Sequence, residues 1–350
     1  MEAGNEKMKR LDWIDVVKGL AIFLVVLGHF SYAKNGAGAK HAIYAFHMSL
    51  FFVMAGCTAA ISFAKTPSVS TFLRKKVVGV FVPYAVWCFL YRVPFTDISQ
   101  LPAHYSFSEH LHCFVQGSVM VWFLICLFVL QGIYAVYKLV TRKFSGVVAK
   151  FATAGGLFIL LFAMHRMWGK TSGEASCWAL EFLTNAYKYY PAFAVGVLVI
   201  EYPVLFKKLF QNRFSLFGYV LVFLFGIMID KVSGYCGQVI LGVGISLLII
   251  NLFVGIDYSK VQGWVLQGGV KQLKIYGKYT MAIYLFHNIF LPSVSLPADV
   301  WGVGIVPFIV MCGVAVVVCY ICVALDHIVS LSSFWSMLLL GKTKPAPSGK

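Results

Sequence analysis

The chain has 350 residues, of which 60% are hydrophobic and 12% are charged, with a mean hydropathy of +0.82. Soluble domains carry about a quarter charged residues, so this composition excludes an ordinary soluble protein and favours a membrane protein. Lys and Arg number 29 against 13 for Asp and Glu, a formal charge of +16. In a chain this apolar, an excess of basic residues indicates an uneven distribution of charge between the two sides of a membrane. No nucleic-acid partner is predicted.

Ten apolar stretches are long enough for membrane-spanning helices, which need about 20 apolar residues. They lie at 12–32, 43–64, 76–93, 116–137, 147–165, 180–202, 214–230, 235–255, 276–294 and 303–326. The boundary between the seventh and eighth is the weakest, because the connecting segment is short. The sequence predicts an all-α, polytopic integral membrane protein with about ten transmembrane helices. One transmembrane domain covers 1–330, and a short cytoplasmic tail covers 331–350.

Basic residues are distributed unevenly between the connections of these spans. Ten spans place both termini on the same side; 21 of the 29 Lys and Arg residues fall on that side, six on the other and two within spans. Cytoplasmic loops carry the excess of Lys and Arg. Both termini are therefore predicted to be cytoplasmic, in a multi-pass protein of the cytoplasmic (inner) membrane.

The ionisable groups of the first span include Lys18 and His29. They are eleven residues apart, about three helical turns, and share one helix face about 16 Å apart. Ionisable groups inside a membrane are costly and are functional candidates. An imidazole acts as a general base for a hydroxyl nucleophile or carries an acyl group itself. The alternative for Lys18 is an interfacial ion pair with Asp15.

Three further side chains are candidate substrate contacts. His47 lies in the second span at a depth similar to that of His29, where it is either functional or a hydrogen-bonded structural residue. His287 in the ninth span is either a second polar contact of the same cavity or a core histidine. Trp122 belongs to an interfacial aromatic belt or lines a sugar site.

Arg74, Lys75 and Lys76 form a basic cluster at the cytoplasmic end of the third span. Anchoring at the membrane surface and attraction to anionic lipids explain such a cluster. The alternative is a docking site for the phosphates of an acyl-CoA. No metal is predicted, because the segment SEHLHCF at 108–114 does not supply a complete set of four ligands. A disulfide between Cys113 and Cys177 stays open.

Several motifs resemble the acyltransferase-3 family of integral membrane O-acyltransferases. Lys18, ten intervening residues and His29 fit the family's basic-residue-to-histidine spacing. FHMSLFFVMAG (46–56), RKKVVGVFVPY (74–84), VWFL (121–124), FAVGVL (193–198) and YGKYTMAIYLFH (276–287) follow in family order. The family often has two arginines three residues apart before the third span, whereas here Val77 stands at that spacing from Arg74.

This resemblance implies transfer of an acyl group, most commonly acetyl, from cytoplasmic acetyl-CoA or another acyl-CoA to a hydroxyl. The acceptor is a cell-surface or lipid-linked glycan. His29 carries over as the catalytic histidine and Lys18 as the family's basic residue; Arg74, with Lys75 and Lys76, becomes the CoA contact. The rival hypothesis is a transporter or flippase of a polar or lipid-linked solute. Transporters often show duplicated halves, and no duplication is visible here.

Overall fold

The computed structural model describes residues 12–29, 37–66, 68–91, 121–144, 146–169, 181–202, 204, 207–208, 214–258, 260–290 and 305–342. The described chain is helical, without strands. Its α-helices, numbered α1 to α12 in chain order, are Asp12–His29, Ala37–Ala64, Val69–Lys76, Val82–Leu90, Trp122–Lys143, Val147–Gly169, Glu181–Glu201, Ser215–Val254, Trp264–Lys278, Thr280–Phe290, Ile305–Val329 and Ser333–Leu340. A π-helical segment, Val77–Phe81, joins α3 to α4.

The helices form two compact units. The first unit contains α1, α2 as far as Met54, α8, α9, α10 and α11 as far as Val323. The second contains α2 from Ala55, α3 to α7, α11 from Ala324, and α12. The predicted single domain over 1–330 is untested by this grouping and stays a prediction.

Helices occur in all ten segments predicted to span the membrane, and five stretches are long and apolar enough to cross it. These are Ala42–Ala64, Trp122–Lys143, Val147–Met167, Gly234–Val254 and Phe308–Val329. Two shorter apolar helices, Ser215–Met228 and Thr280–Phe290, coincide with predicted spans. The all-α class is therefore confirmed for the described residues, and several helices have the length and composition to cross a membrane. The count of ten and the sides of the termini stay predictions.

Helix α8 turns back on itself within its 40 residues. A Cβ built on Gly226 would lie 2.8 Å from the backbone nitrogen of Leu241. Fifteen residues of straight helix extend about 22 Å, so such a contact requires two antiparallel arms. The arms correspond to the seventh and eighth predicted spans. The second arm approaches α2 closely, because a Cβ on Gly242 would meet the Ser49 side chain.

Two glycines allow α1 and α9 to touch through their backbones. A Cβ on Gly19 would collide with the carbonyl of Leu273, and one on Gly277 would collide with the carbonyl of Asp15. Small residues permit such close approach where helices pack in a membrane. This contact fixes the predicted cytoplasmic half of α1, the helix that ends at His29.

In the second unit, the π segment has a local cause. Pro83 stands in the first turn of α4 and has no backbone N–H, so an α-helical bond cannot form there. The Val82 N–H instead bonds the Val77 carbonyl, five residues back. Helix α12, in the stretch assigned to the tail, packs on α4, and the Trp87 Nε1 donates to the Leu339 carbonyl at 2.9 Å.

Candidate active site

Three histidines and a tyrosine from three helices meet in the first unit. The ring of His29, the last residue of α1, lies 5.1 Å from that of His287 on α10, measured between centroids and nearly perpendicular. The ring of Tyr44 on α2 is 6.5 Å from His29 and 4.8 Å from His47. We call His29, Tyr44, His47 and His287 the histidine cluster.

Two of these histidines are tethered to their own helices. The Nδ1 atoms of His47 and His287 lie 2.8 Å and 2.9 Å from the carbonyls of Ile43 and Ile283, each four residues earlier. A carbonyl oxygen only accepts, so each Nδ1 carries the proton that it donates. In the neutral ring, Nε2 then holds the lone pair. Both rings can therefore accept a proton or a hydrogen bond at Nε2.

Burial separates the members of the cluster. His287 is fully buried and His47 is 3% exposed, whereas His29 is exposed. Within the described residues, the Nε2 of His287 is buried without a hydrogen-bond partner. An unsatisfied buried acceptor is costly and calls for a functional explanation. The arrangement presents one accessible imidazole, His29, supported by a buried imidazole at its side.

Lys18 lies on α1, half-buried, three turns before His29. The two residues belong to one continuous helix of 18 residues. A group bound near the first turn of α1 is therefore about 25 Å from His29 along the helix. Helix α1 connects the predicted cytoplasmic side to the histidine cluster.

The basic cluster of Arg74, Lys75 and Lys76 belongs to the second unit, at the end of α3. Arg74 and Lys75 are exposed, and Lys76 is half-buried with its Nζ 4.9 Å from the centre of the Phe72 ring. The following π segment is a feature often found at functional sites. Because Arg74 and Lys75 are exposed, their side chains are accessible to an anionic group.

Trp122 also lies in the second unit, at the first residue of α5. Its half-buried ring stacks on Tyr189 of α7 at 5.7 Å. Further along the same two helices, the Glu201 carboxylate accepts from the Tyr134 hydroxyl and pairs with the Lys138 Nζ at 2.9 Å. This network holds α5 against α7.

Sequence reasoning missed the tyrosines of the first unit. Tyr44 precedes His47 by three residues, and Tyr284 precedes His287 by three, with ring centroids 6.1 Å apart in the second pair. Residues three apart share a helix face. The repeated Tyr-x-x-His spacing was therefore the available signal. The segment 108–114 and Cys177 lie outside the described residues. Within the described ranges, no group of three or more His, Cys, Asp or Glu side chains is arranged to hold a metal ion.

The described residues are helical, and several of their helices are long and apolar enough to cross a membrane, which places the chain among α-helical membrane proteins. The comparison with families narrows this class. The acyltransferase domain of the acyltransferase-3 family matches residues 11–324, and the chain belongs to that family. It is therefore a membrane acyltransferase. Comparisons with curated proteins and with solved structures found no match.

Proposed function

We propose that this protein transfers an acyl group, most commonly acetyl, from a cytoplasmic acyl-CoA to a hydroxyl of a cell-surface or lipid-linked glycan. The observation that carries the proposal is the histidine cluster at the far end of α1. One exposed imidazole lies there beside a buried one. Family membership supplies the reaction class, and the cluster supplies the base that the reaction requires.

In the direct form of the reaction, His29 removes the proton from the acceptor hydroxyl. The oxygen attacks the thioester carbonyl, the new ester C–O bond forms and the C–S bond breaks. The CoA thiolate leaves and takes up the proton from the His29 imidazolium. In the two-step form, a His29 nitrogen attacks the thioester carbonyl, the C–S bond breaks, and CoA leaves as a thiol with the imidazole proton. The acceptor hydroxyl oxygen then attacks the acyl carbon, the C–N bond breaks, and the imidazole takes up the hydroxyl proton. Either form uses the same side chain.

The donor must reach His29 from the opposite face of the membrane. The distance of about 25 Å along α1 is consistent with a donor whose nucleotide stays at the cytoplasmic surface while its pantetheine arm extends between the helices. Lys18 lies part of the way along this route and compensates negative charge. By resemblance alone, Arg74, Lys75 and Lys76 of the second unit are assigned to a CoA contact, as point charges or through a bidentate guanidinium. His47, His287 and Trp122 are assigned to the acceptor side.

The membrane location follows from the same proposal. The protein is placed in the cytoplasmic membrane with ten spans and both termini inside, so that the basic residues of the connections face the cytoplasm. Membrane lipids surround the apolar helices, and anionic headgroups attract the basic loops. No metal or prosthetic group takes part in the proposed reaction.

Replacement of His29 by Ala tests the function. Purified protein in nanodiscs is supplied with radiolabelled acetyl-CoA and glycan extracted from the host envelope, and base-labile label on the glycan is counted. His29→Ala is expected to lower transfer at least a hundredfold, the lower range for loss of a general base. The matched control is His327→Ala, which removes an exposed histidine outside the cluster.

Two results contradict the proposal. Transfer by His29→Ala at the rate of His327→Ala removes His29 from the mechanism. Movement of a labelled solute across proteoliposome membranes, with acetyl-CoA left intact by the wild-type protein, supports a transporter instead. Surface glycan from cells with and without the gene, compared for base-labile acyl content, identifies the acceptor.

A further inference from the structure

A second polar feature of the first unit plays no part in the proposed chemistry. It is a cavity of about 520 Å³ beside the first turn of α1. This volume falls in the range of about 300–1,000 Å³ that is usual for small-molecule sites. Its walls are the first turn of α1, Tyr258 and Val261 of the connection before α9, and one face of α9. We call it the α1–α9 cavity.

Three lysines of α9 line one wall of this cavity: Lys271, Lys274 and Lys278. Their spacing of three and four residues places them on one helix face. Lys274 is already paired with Asp12 at 2.7 Å. Lys271 and Lys278 are exposed and lie one turn on either side of that pair.

The part of the wall next to the lysines is held in place by hydrogen bonds. The Tyr258 hydroxyl donates to the Phe253 carbonyl at 2.8 Å, and its ring lies 5.0 Å from the Lys274 Nζ. The Gln267 amide donates to the Val261 carbonyl at 2.8 Å and ties the connection to α9. Burial, together with Asp12, raises the pKa of Tyr258 to about 12, so its phenol stays neutral. These bonds form the cavity in advance of any ligand.

From this geometry we propose that the α1–α9 cavity binds a phosphate ester, held by Lys271 and Lys278 on either side of the Lys274–Asp12 pair. Lysine binds phosphate as a point charge, and two such charges two turns apart accommodate a diphosphate or a monoester with a neighbouring polar group. The ligand is either the nucleotide phosphates of an acyl-CoA or the headgroup of an anionic lipid. Only the first of these rests on the proposed function.

Charge complementarity favours an anion despite the two aspartates in the lining. Asp12 is engaged by Lys274, and the cavity contains three lysines against Asp12 and Asp15. On the same helix, the exposed Trp264 is 87% accessible. A tryptophan with nearby lysines is typical of the membrane–water interface, where lipid phosphates and soluble nucleotides both have access.

Two binding measurements on the full chain separate the sources. In neutral phosphatidylcholine nanodiscs, coenzyme A binding is measured by calorimetry; in phosphatidylglycerol nanodiscs, retained lipid is counted by native mass spectrometry. The Lys271→Gln/Lys278→Gln variant is expected to weaken either coenzyme A binding or phosphatidylglycerol retention at least tenfold. Lys207→Gln/Lys208→Gln removes two exposed lysines elsewhere and is expected to change neither.

A measurement on the wild-type protein removes dependence on the folding of a variant. Bound coenzyme A or phosphatidylglycerol is expected to slow acylation of Lys271 and Lys278 by an amine-reactive reagent, relative to Lys207 and Lys208. Protection by coenzyme A assigns the cavity to the donor, and protection by the lipid assigns it to a headgroup. Equal labelling with either probe, together with unchanged binding in both arms, overturns the proposal. Neither arm requires turnover, so an absence of acyl transfer contradicts only the proposed function.

Discussion

The backbone contact between α1 and α9 makes a sharp prediction about a single methyl group. In the change Gly277→Ala, the new Cβ would lie 2.9 Å from the Cα of Asp15 and closer still to its carbonyl. Carbon atoms in contact normally lie about 3.5–4.0 Å apart. Because the atoms in the way are backbone, no side-chain rotation relieves the clash, and the helices must separate by about 1 Å.

The expected cost follows from that separation. Overpacking costs about 1–3 kcal/mol, and the backbone origin of this clash places Gly277→Ala near the upper value. Replacing glycine by alanine within a helix stabilises the folded state by roughly 0.5–1 kcal/mol. The net destabilisation is then about 2 kcal/mol. Gly269→Ala on the same helix has nothing within 4 Å and is expected to gain roughly 0.5–1 kcal/mol.

The assay is thermal unfolding of both variants in the same detergent, followed by tryptophan fluorescence, with initial rates of acyl transfer measured in parallel. Gly277→Ala is expected to melt several degrees below Gly269→Ala and to transfer more slowly, since α1 carries His29. Equal melting temperatures for the two variants would refute the reasoning. A difference in melting temperature without a difference in transfer rate would support the packing argument and show that the α1–α9 contact does not affect the site.

Two further predictions concern buried polar groups. Lys342→Met leaves the Asp326 carboxylate, 4% exposed, without its cation. The free energy of unfolding, from thermal or denaturant unfolding, is expected to fall by at least about 2 kcal/mol. Lys260→Met, in the exposed pair with Asp257, is expected to change it by less than about 0.5 kcal/mol. Equal effects of these two changes would be inconsistent with that difference in burial. His287→Gln keeps a polar atom near the position of Nε2 and is expected to retain at least tenfold more transfer activity than His287→Asn, a difference of about 1.4 kcal/mol in barrier. Equal rates would show that only the packing of this ring matters.

Apolar length predicted most of the helices but not the polar ones. Every predicted span contains helix, and even the weak boundary between 230 and 235 falls where α8 turns back. Helix α9 was missed because its three lysines and two glutamines interrupt the apolar run that marks a membrane-spanning helix. Its backbone packs directly on α1 at Gly277, a tertiary contact that sequence periodicity does not encode. The π segment was missed for a related reason, since residues 77–82 are uniformly apolar and show no break.

The candidate site was predictable in part. Depth counting along two antiparallel spans placed His29 and His47 at a similar level, and the structure brings both to Tyr44. The contact with His287 was left open, because the order of helices around a bundle does not follow from hydropathy. Tyr44 was missed because an aromatic residue at a span end is usually an interfacial anchor. The roles of all these residues in transfer stay predictions.

The π segment also changes how the third span is interpreted. A π turn accommodates one residue more than an α turn, and one residue corresponds to a rotation of about 100° around the helix axis. A helical wheel drawn straight from Arg74 to Tyr84 therefore assigns the two to the wrong relative faces. A helix that lacks one residue within 77–81 and is α-helical throughout keeps its basic side chains on the same face relative to Tyr84. Spacing motifs that cross this segment are informative about sequence order, and angular position has to be counted separately on each side of it.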